Sequence, residues 1–239
     1  MRTYGVEAIV IRKRNFSEKD RILTLFTKER GKIEALAKGS RRPGSRLSSF
    51  SDIGTHAKFY LYETNSIDLV KEIVPIFSPE GARGKFEKTY KLEYIFKAVD
   101  KVFERDEPHP ETYAALVRSI RLVSDGDFQL PFLVFLARVI SDLGLGPELF
   151  DCLKCRGKIC AQDKTAFSPR GGVMHTGCSL DETVAISNNE IKFLRLIFNG
   201  PFEKIIKARV DKKIFIKVFK IVKQYFDWHF GEILSDKIL

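Results

Sequence analysis

Polar and apolar positions alternate with a period of two along the first third of the chain. Val6, Ala8 and Val10 alternate with Glu7, Ile9 and Ile11, and Arg21-Ile22-Leu23-Thr24-Leu25-Phe26 runs into Thr27-Lys28-Glu29-Arg30-Gly31. Gly31 can supply the positive φ of a hairpin turn, with Lys32-Ile33-Glu34-Ala35-Leu36-Ala37-Lys38 as the return strand. A second hairpin is predicted around Glu63-Thr64-Asn65-Ser66, between Ala57-Lys58-Phe59-Tyr60-Leu61-Tyr62 and Ile67-Asp68-Leu69-Val70-Lys71-Glu72-Ile73. Five short strands, tight turns and one long Gly/Ser/Arg loop over residues 39–49 suit a small, partly open barrel of the OB type, and SH3-like barrels and small sandwiches share the pattern.

Beyond Pro75 the period becomes about 3.6. Phe86, Tyr90, Tyr94, Ile95 and Val99 fall on one helical face, and Leu116, Ile120 and Val123 on another. Residues 130–143 form a dense apolar stretch with Pro131 in its first turn and a stop at Gly144-Leu145-Gly146-Pro147, so residues 81–150 read as a helical bundle. Helix returns from Asn188, with Ile191, Leu194, Ile197 and Phe198 as one stripe and Ile214, Val218, Ile221, Val222, Tyr225 and Phe226 as another. The expected class is α+β: an N-terminal OB-fold β-barrel over residues 1–80, then an α-helical domain over residues 81–239 interrupted by an irregular insertion at residues 151–185.

That insertion carries every cysteine of the chain. Cys152 and Cys155 make a C-x2-C knuckle, and His175 with Cys178 makes an H-x2-C pair. Two such pairs can converge on a tetrahedral Zn²⁺, which takes thiolate and imidazole ligands in closed structural sites. Cys160 is a rival, since Cys152, Cys155, Cys160 and Cys178 would form an all-thiolate set without His175, and a segment without metal is the third alternative. A catalytic zinc would need an open position and a nearby base, and the sequence identifies neither.

Charge adds a second candidate site. The chain has 41 Lys and Arg against 31 Asp and Glu, a formal +10, a balance that suits a polyanionic partner. Residues 1–50 hold 13 basic and 5 acidic side chains and residues 151–239 hold 16 and 10, so the excess sits at the two ends of the chain and leaves the middle nearly neutral. Lys38, Arg41, Arg42 and Arg46 lie in the long loop and, with Arg12, Lys13 and Arg14, can form one cationic face that neutralises phosphates. Phe16, Phe50, Phe59 and Tyr60 are candidate surfaces for stacking unpaired bases. The eight cations between Lys204 and Lys223 read as the wet face of amphipathic helices. The opening residues carry no signal-peptide core, and no run reaches the roughly 18 apolar residues of a membrane span. The expectation is a cytoplasmic protein with no membrane partner. Phosphate-loop, dinucleotide, G-x-S-x-G and H-E-x-x-H motifs are absent, so no enzyme is expected. A zinc-dependent nucleic-acid enzyme and an adaptor for acidic peptides are the competing readings.

The chain resembles the RecO family of bacterial recombination and repair mediators. The resemblance rests on Phe16-Ser17-Glu18-Lys19-Asp20-Arg21-Ile22-Leu23, Phe26-Thr27-Lys28-Glu29-Arg30-Gly31-Lys32 and Lys38-Gly39-Ser40-Arg41-Arg42. It continues through Leu143-Gly144-Leu145-Gly146-Pro147, the Cys152 knuckle, Phe167-Ser168-Pro169-Arg170-Gly171-Gly172-Val173 and Tyr225-Phe226-Asp227-Trp228-His229-Phe230-Gly231, and so spans nearly the whole chain. It implies an OB domain, a helical domain with an inserted zinc module, and a non-enzymatic role. That role is binding single- and double-stranded DNA, annealing complementary strands, and helping a recombinase displace single-strand binding protein, with RecR and the acidic C-terminal tail of single-strand binding protein as partners. Family members commonly carry C-x2-C at both ends of the metal segment, and His175 replaces the first cysteine of the second pair here.

Overall fold

The computed structural model describes residues 2–78, 86–125, 129–179 and 182–232, with the side chains of residues 86–91 and 123–125 left aside. The residue 80/81 boundary and the side chains of Phe86, Tyr90 and Val123 lie outside this description. Two compact units, Met1–Phe128 and Gln129–Leu239, are distinguished by their contacts.

In the first unit the elements are β1 (Thr3–Asn15), β2 (Arg21–Thr27), β3 (Gly31–Ala37), α1 (Arg46–Phe50), β4 (His56–Tyr62), β5 (Asp68–Phe77), α2 (Phe86–Val102) and α3 (Pro110–Asp125). The ladders run in the order β1-β2-β3-β5-β4, and β4 pairs back onto β1. All of these pairings are antiparallel except the short parallel contact of Ala35 and Leu36 with Asp68 and Leu69. Both predicted hairpins are present. The alternation has a direct cause: Val6, Ala8, Val10, Leu23, Leu25, Phe59 and Leu61 share one buried interior. Leu47 and Phe50 of α1 pack partly against it.

The opposite face of β1 and β2 is buried too, through Ile9, Ile11, Ile22 and Phe26. The helices after β5 supply its cover: α2 packs on β1, and the Phe26 ring lies 5.4 Å from Phe103 and 6.3 Å from Tyr113. The bundle expected over residues 81–150 is therefore divided, because a sheet apolar on both faces must recruit helices for its second face. Gly31 marks how closely the chain packs here: its φ is +65°, and a Cβ would lie 2.0 Å from the Glu107 carbonyl oxygen.

The second unit contains α4 (Gln129–Asp142), β6 (Thr165–Ser168), β7 (Gly172–His175), a 3-10 turn (Thr176–Cys178), β8 (Val184–Ile186), α5 (Asn188–Asn199), α6 (Phe202–Ile205) and α7 (Lys212–Phe230). Helices α4, α5 and α7 pack on one another. Helix α5 starts at a capping box, in which Ser187 accepts from the Glu190 backbone N–H while Glu190 accepts from the Ser187 N–H. Asp211 caps α7 by accepting from the N–H groups of Lys213 and Ile214. Among the described residues no helix is long and apolar enough to cross a membrane. The insertion is more ordered than its irregular pattern suggests: strands β7-β6-β8 form a small antiparallel sheet. Strands this short give too few positions for periodicity to register.

Candidate metal centre and cationic surface

The metal-ligand candidates come from two local structures. In the first, the Cys152 N–H donates to the Gly157 carbonyl and the Arg156 N–H to the Cys152 carbonyl, with Arg156 at φ 59°, which folds the C-x2-C segment into a tight knuckle. The Leu153 N–H donates to the Val173 carbonyl, 3.1 Å away, docking the knuckle on the β6–β7 hairpin. That hairpin is the second structure: His175 ends β7 and Cys178 lies in the following turn. Gly172 permits the close approach, since at φ +136° a Cβ would meet the Glu148 carbonyl oxygen at 2.1 Å.

Together these turns place one ligand atom each from Cys152, Cys155, His175 and Cys178 within 4.8 Å of one another. Tetrahedral zinc with sulfur ligands at about 2.3 Å has ligand–ligand edges of about 3.8 Å, so little contraction would seat an ion. His175 Nδ1 is 3.4 Å from Cys155 Sγ, and the His175 N–H donates to Cys152 Sγ at 3.5 Å. Burial pushes the Cys152 thiol up, but backbone N–H groups of Cys155, His175 and Lys154 outweigh it and bring the thiol down to about 6. The Cys155 sulfur draws His175 up to about 8. Cys178 is pushed up by burial and by the neighbouring Cys155 and Cys152 sulfurs. Three crowded sulfurs cannot all ionise without a cation among them, which is the chemistry of a metal site.

Cys160 lies outside this group. Its thiol is exposed and 4.0 Å from the Lys158 carbonyl. The backbone N–H of Cys160 instead donates to Asp163 Oδ2 at 2.7 Å, and the same oxygen is 3.3 Å from His175 Nε2. Asp163 carries no spacing signal in the sequence and becomes visible only through this contact.

In the first unit the cations fall into two sets. Arg12, Arg14 and Arg105 surround Glu34 at 3.5, 3.8 and 2.9 Å, and Arg12 also meets Asp100 at 3.3 Å. Register explains this, because Arg12 pairs with Thr24 and Thr24 with Glu34, aligning the three across one face. Lys13 is likewise paired, with Asp52. The second set is freer. Lys38, Arg41, Arg42 and Arg46 are all exposed, and among the described residues none of them makes an ion pair within 4 Å.

Hydrogen bonds stitch their loop to the β1–β2 turn: the Gly39 N–H donates to Asp20 Oδ1 at 2.7 Å, the Arg41 N–H to the Lys19 carbonyl at 3.0 Å, and the Arg41 guanidinium to the Ser17 carbonyl at 2.6 Å. The Gly39 N–H, with Ser17, Lys38 and Arg42, holds the Asp20 carboxyl below its ordinary range. The stitch brings Phe16, 58% exposed, into the same pair of loops. Phe59 is fully buried in the strand interior, which removes it from the stacking candidates, and Phe50 packs partly on that interior. Tyr60 is half-buried beneath Lys58. Of the carboxy-terminal cations, Lys217 pairs with Glu190 and Lys223 with Asp227, while Lys204, Lys207, Arg209, Lys212, Lys213 and Lys220 are exposed.

A strand-rich N-terminal part, a helical C-terminal part and a Cys3His group define an α+β protein with a candidate metal centre. Family comparison resolves this class further: the model of "Recombination protein O N terminal" matches residues 1–79 and that of "Recombination protein O C terminal" matches residues 83–237. The chain belongs to the RecO family. It is similar to three curated relatives, each named DNA repair protein RecO. The protein from Desulfitobacterium hafniense (strain DSM 10664 / DCB-2) is 29% identical over 95% of this chain and 84% of its own length. That from Heliobacterium modesticaldum is 30% identical over 94% and 84%, and that from Bacillus subtilis 26% identical over 97% and 91%.

Proposed function

We propose that this protein is a non-enzymatic, cytoplasmic DNA-binding mediator of recombination and repair. Residues 1–80 form its OB-fold DNA-binding domain, and residues 81–239 its helical domain with a zinc module at 151–185, the first two helices of that domain serving as the cover of the strands. One observation carries the reading: two loops joined through Asp20–Gly39 and Lys19–Arg41 expose Lys38, Arg41, Arg42 and Arg46 on one and the ring of Phe16 on the other. Cations there hold phosphates, and an exposed ring stacks an unpaired base without reading sequence. Arg12 and Arg14 contribute less, because Glu34 already offsets part of their charge.

Strand annealing follows from screening the repulsion between two phosphate backbones while bases stay accessible, with no bond made or broken. Family membership supports the rest of the role, in which the protein engages RecR and the acidic tail of single-strand binding protein and assists recombinase loading on coated single strands. Cys152, Cys155, His175 and Cys178 hold a structural Zn²⁺, whose contribution is to cross-link the knuckle to the β6–β7 hairpin.

The test is replacement of Arg41, Arg42 and Arg46 together by Ala in the full chain. Single-strand binding weakens, annealing slows, and the slope of log K against log salt falls by up to about 2 to 3. A folded triple variant that anneals at the wild-type rate would remove this loop from the site. Absence of DNA binding together with tight binding of acidic peptides would favour the adaptor reading instead.

A further inference from the structure

The Cys3His group differs chemically from an all-sulfur one because an imidazole has two ring nitrogens. If one faces an ion, the other must be held by something, or the ring is free to turn and its lone pair to miss the metal. In this protein Nδ1 of His175 faces Cys155 Sγ at 3.4 Å, inside the cluster. Nε2 faces outward and meets Asp163 Oδ2 at 3.3 Å. Local folding sets this juxtaposition. Thr165 pairs with His175 in the β6–β7 ladder, and the Thr176 N–H donates to the Lys164 carbonyl at 2.9 Å, so the residues just before β6 run alongside the end of β7. The Asp163 oxygen is itself fixed, because it accepts from the Cys160 N–H at 2.7 Å while the Asp163 N–H donates to the Cys160 carbonyl at 3.2 Å.

We propose that Asp163 is a positioning residue for the metal cluster, accepting the Nε2–H of His175 so that Nδ1 is presented to the ion. The inference rests on the reading that the cluster binds metal. It also gives the segment 160–163 a role independent of the Cys160 thiol: its turn holds the carboxylate that orients the histidine.

A merely structural Asp163, acting only on the Cys160 turn, would matter equally whatever ligand stood at position 175. The experiment therefore uses four full-length proteins, wild type, Asp163→Ala, His175→Cys and the double variant. Zinc affinity is read by competition with a chromophoric chelator, and Co²⁺ substitution reports ligand geometry through its visible bands. Asp163→Ala is expected to weaken zinc binding about 10- to 100-fold in the wild-type background and by no more than about twofold in the His175→Cys background, where no ring needs orienting. The Co²⁺ bands should shift on Asp163→Ala only when His175 is present. Asp163→Asn retains an acceptor for the Cys160 turn and guards against simple misfolding; an intermediate loss of affinity is expected. Equal losses in both backgrounds, or none in either, overturn the role of Asp163 alone. A wild-type protein that takes up no ion overturns the metal reading and this role with it.

Discussion

The interior of the strand unit and that of the cysteine module are built on different scales. Inside β1–β5 the buried cluster includes Phe59, Leu23, Leu25, Leu61, Val6, Val10, Val70 and Ile73. Around the cysteine group it consists of Cys152, Ala166 and Met174, with Leu153, Ile159 and Cys178 partly buried against them. Each fully buried Leu or Phe contributes about 1.5 to 3 kcal/mol, so the strands can stand on apolar burial alone. The module cannot, and the proposed metal cross-link between knuckle and hairpin would take the place of the missing core. Its sheet reaches the helical packing, where the Phe167 and Tyr225 rings meet edge to face at 5.7 Å.

If this contrast is right, the largest effect comes from removing the ion. Stripping metal with a strong chelator should release amide protection throughout residues 148–179, on the scale of about 10 kcal/mol of lost binding energy, and leave exchange in β1–β5 unchanged. Hydrogen exchange read by mass spectrometry separates the two regions directly. Next in size, Phe59→Ala should cost about 3 to 5 kcal/mol in denaturant unfolding of the strand unit through the cavity it leaves, with zinc content unaltered. Gly31→Ala should cost about 1 to 3 kcal/mol, since the added Cβ collides with the Glu107 carbonyl at a positive φ; its thermal midpoint would show this.

The smallest effect is a pH dependence. His56 is buried, with Nε2 on Glu7 at 2.8 Å and its Nδ1 without a partner among the described residues. Burial holds it below its ordinary value, against the opposing pull of Glu7. As pH falls, the unfolded chain therefore takes up this proton first, and stability present above about pH 6.5 is lost as pH drops toward the depressed native value. In His56→Gln the midpoint should fall less between about pH 7.5 and 5.5 than in the wild type; an equal fall would assign the acid sensitivity to other groups.

Much of this was legible from pattern. Both hairpins, the helix starting after Ser187 and the convergence of the two short ligand pairs follow from period and spacing, which are local. What the sequence hid depends on contacts between distant segments. Ile9, Ile11 and Phe26 need cover that only the later helices supply. Phe59 reads as an available ring until the register of β4 turns it inward. Glu34 is an ordinary charge until three arginines surround it. Asp163 has no motif at all, and only the β6–β7 register brings it to His175.

The central claim is that the two regions divide the work, the cationic loops holding nucleic acid and the cysteine module holding only itself. The most direct measurement is the salt dependence of single-stranded DNA binding by the full chain, in three samples: wild type, the Arg41, Arg42 and Arg46 triple Ala variant, and metal-stripped wild type. The account predicts a slope reduced by about 2 to 3 in the triple variant and unchanged on metal removal. A wild-type slope in the folded triple variant, with the loss appearing instead in the stripped protein, would contradict it.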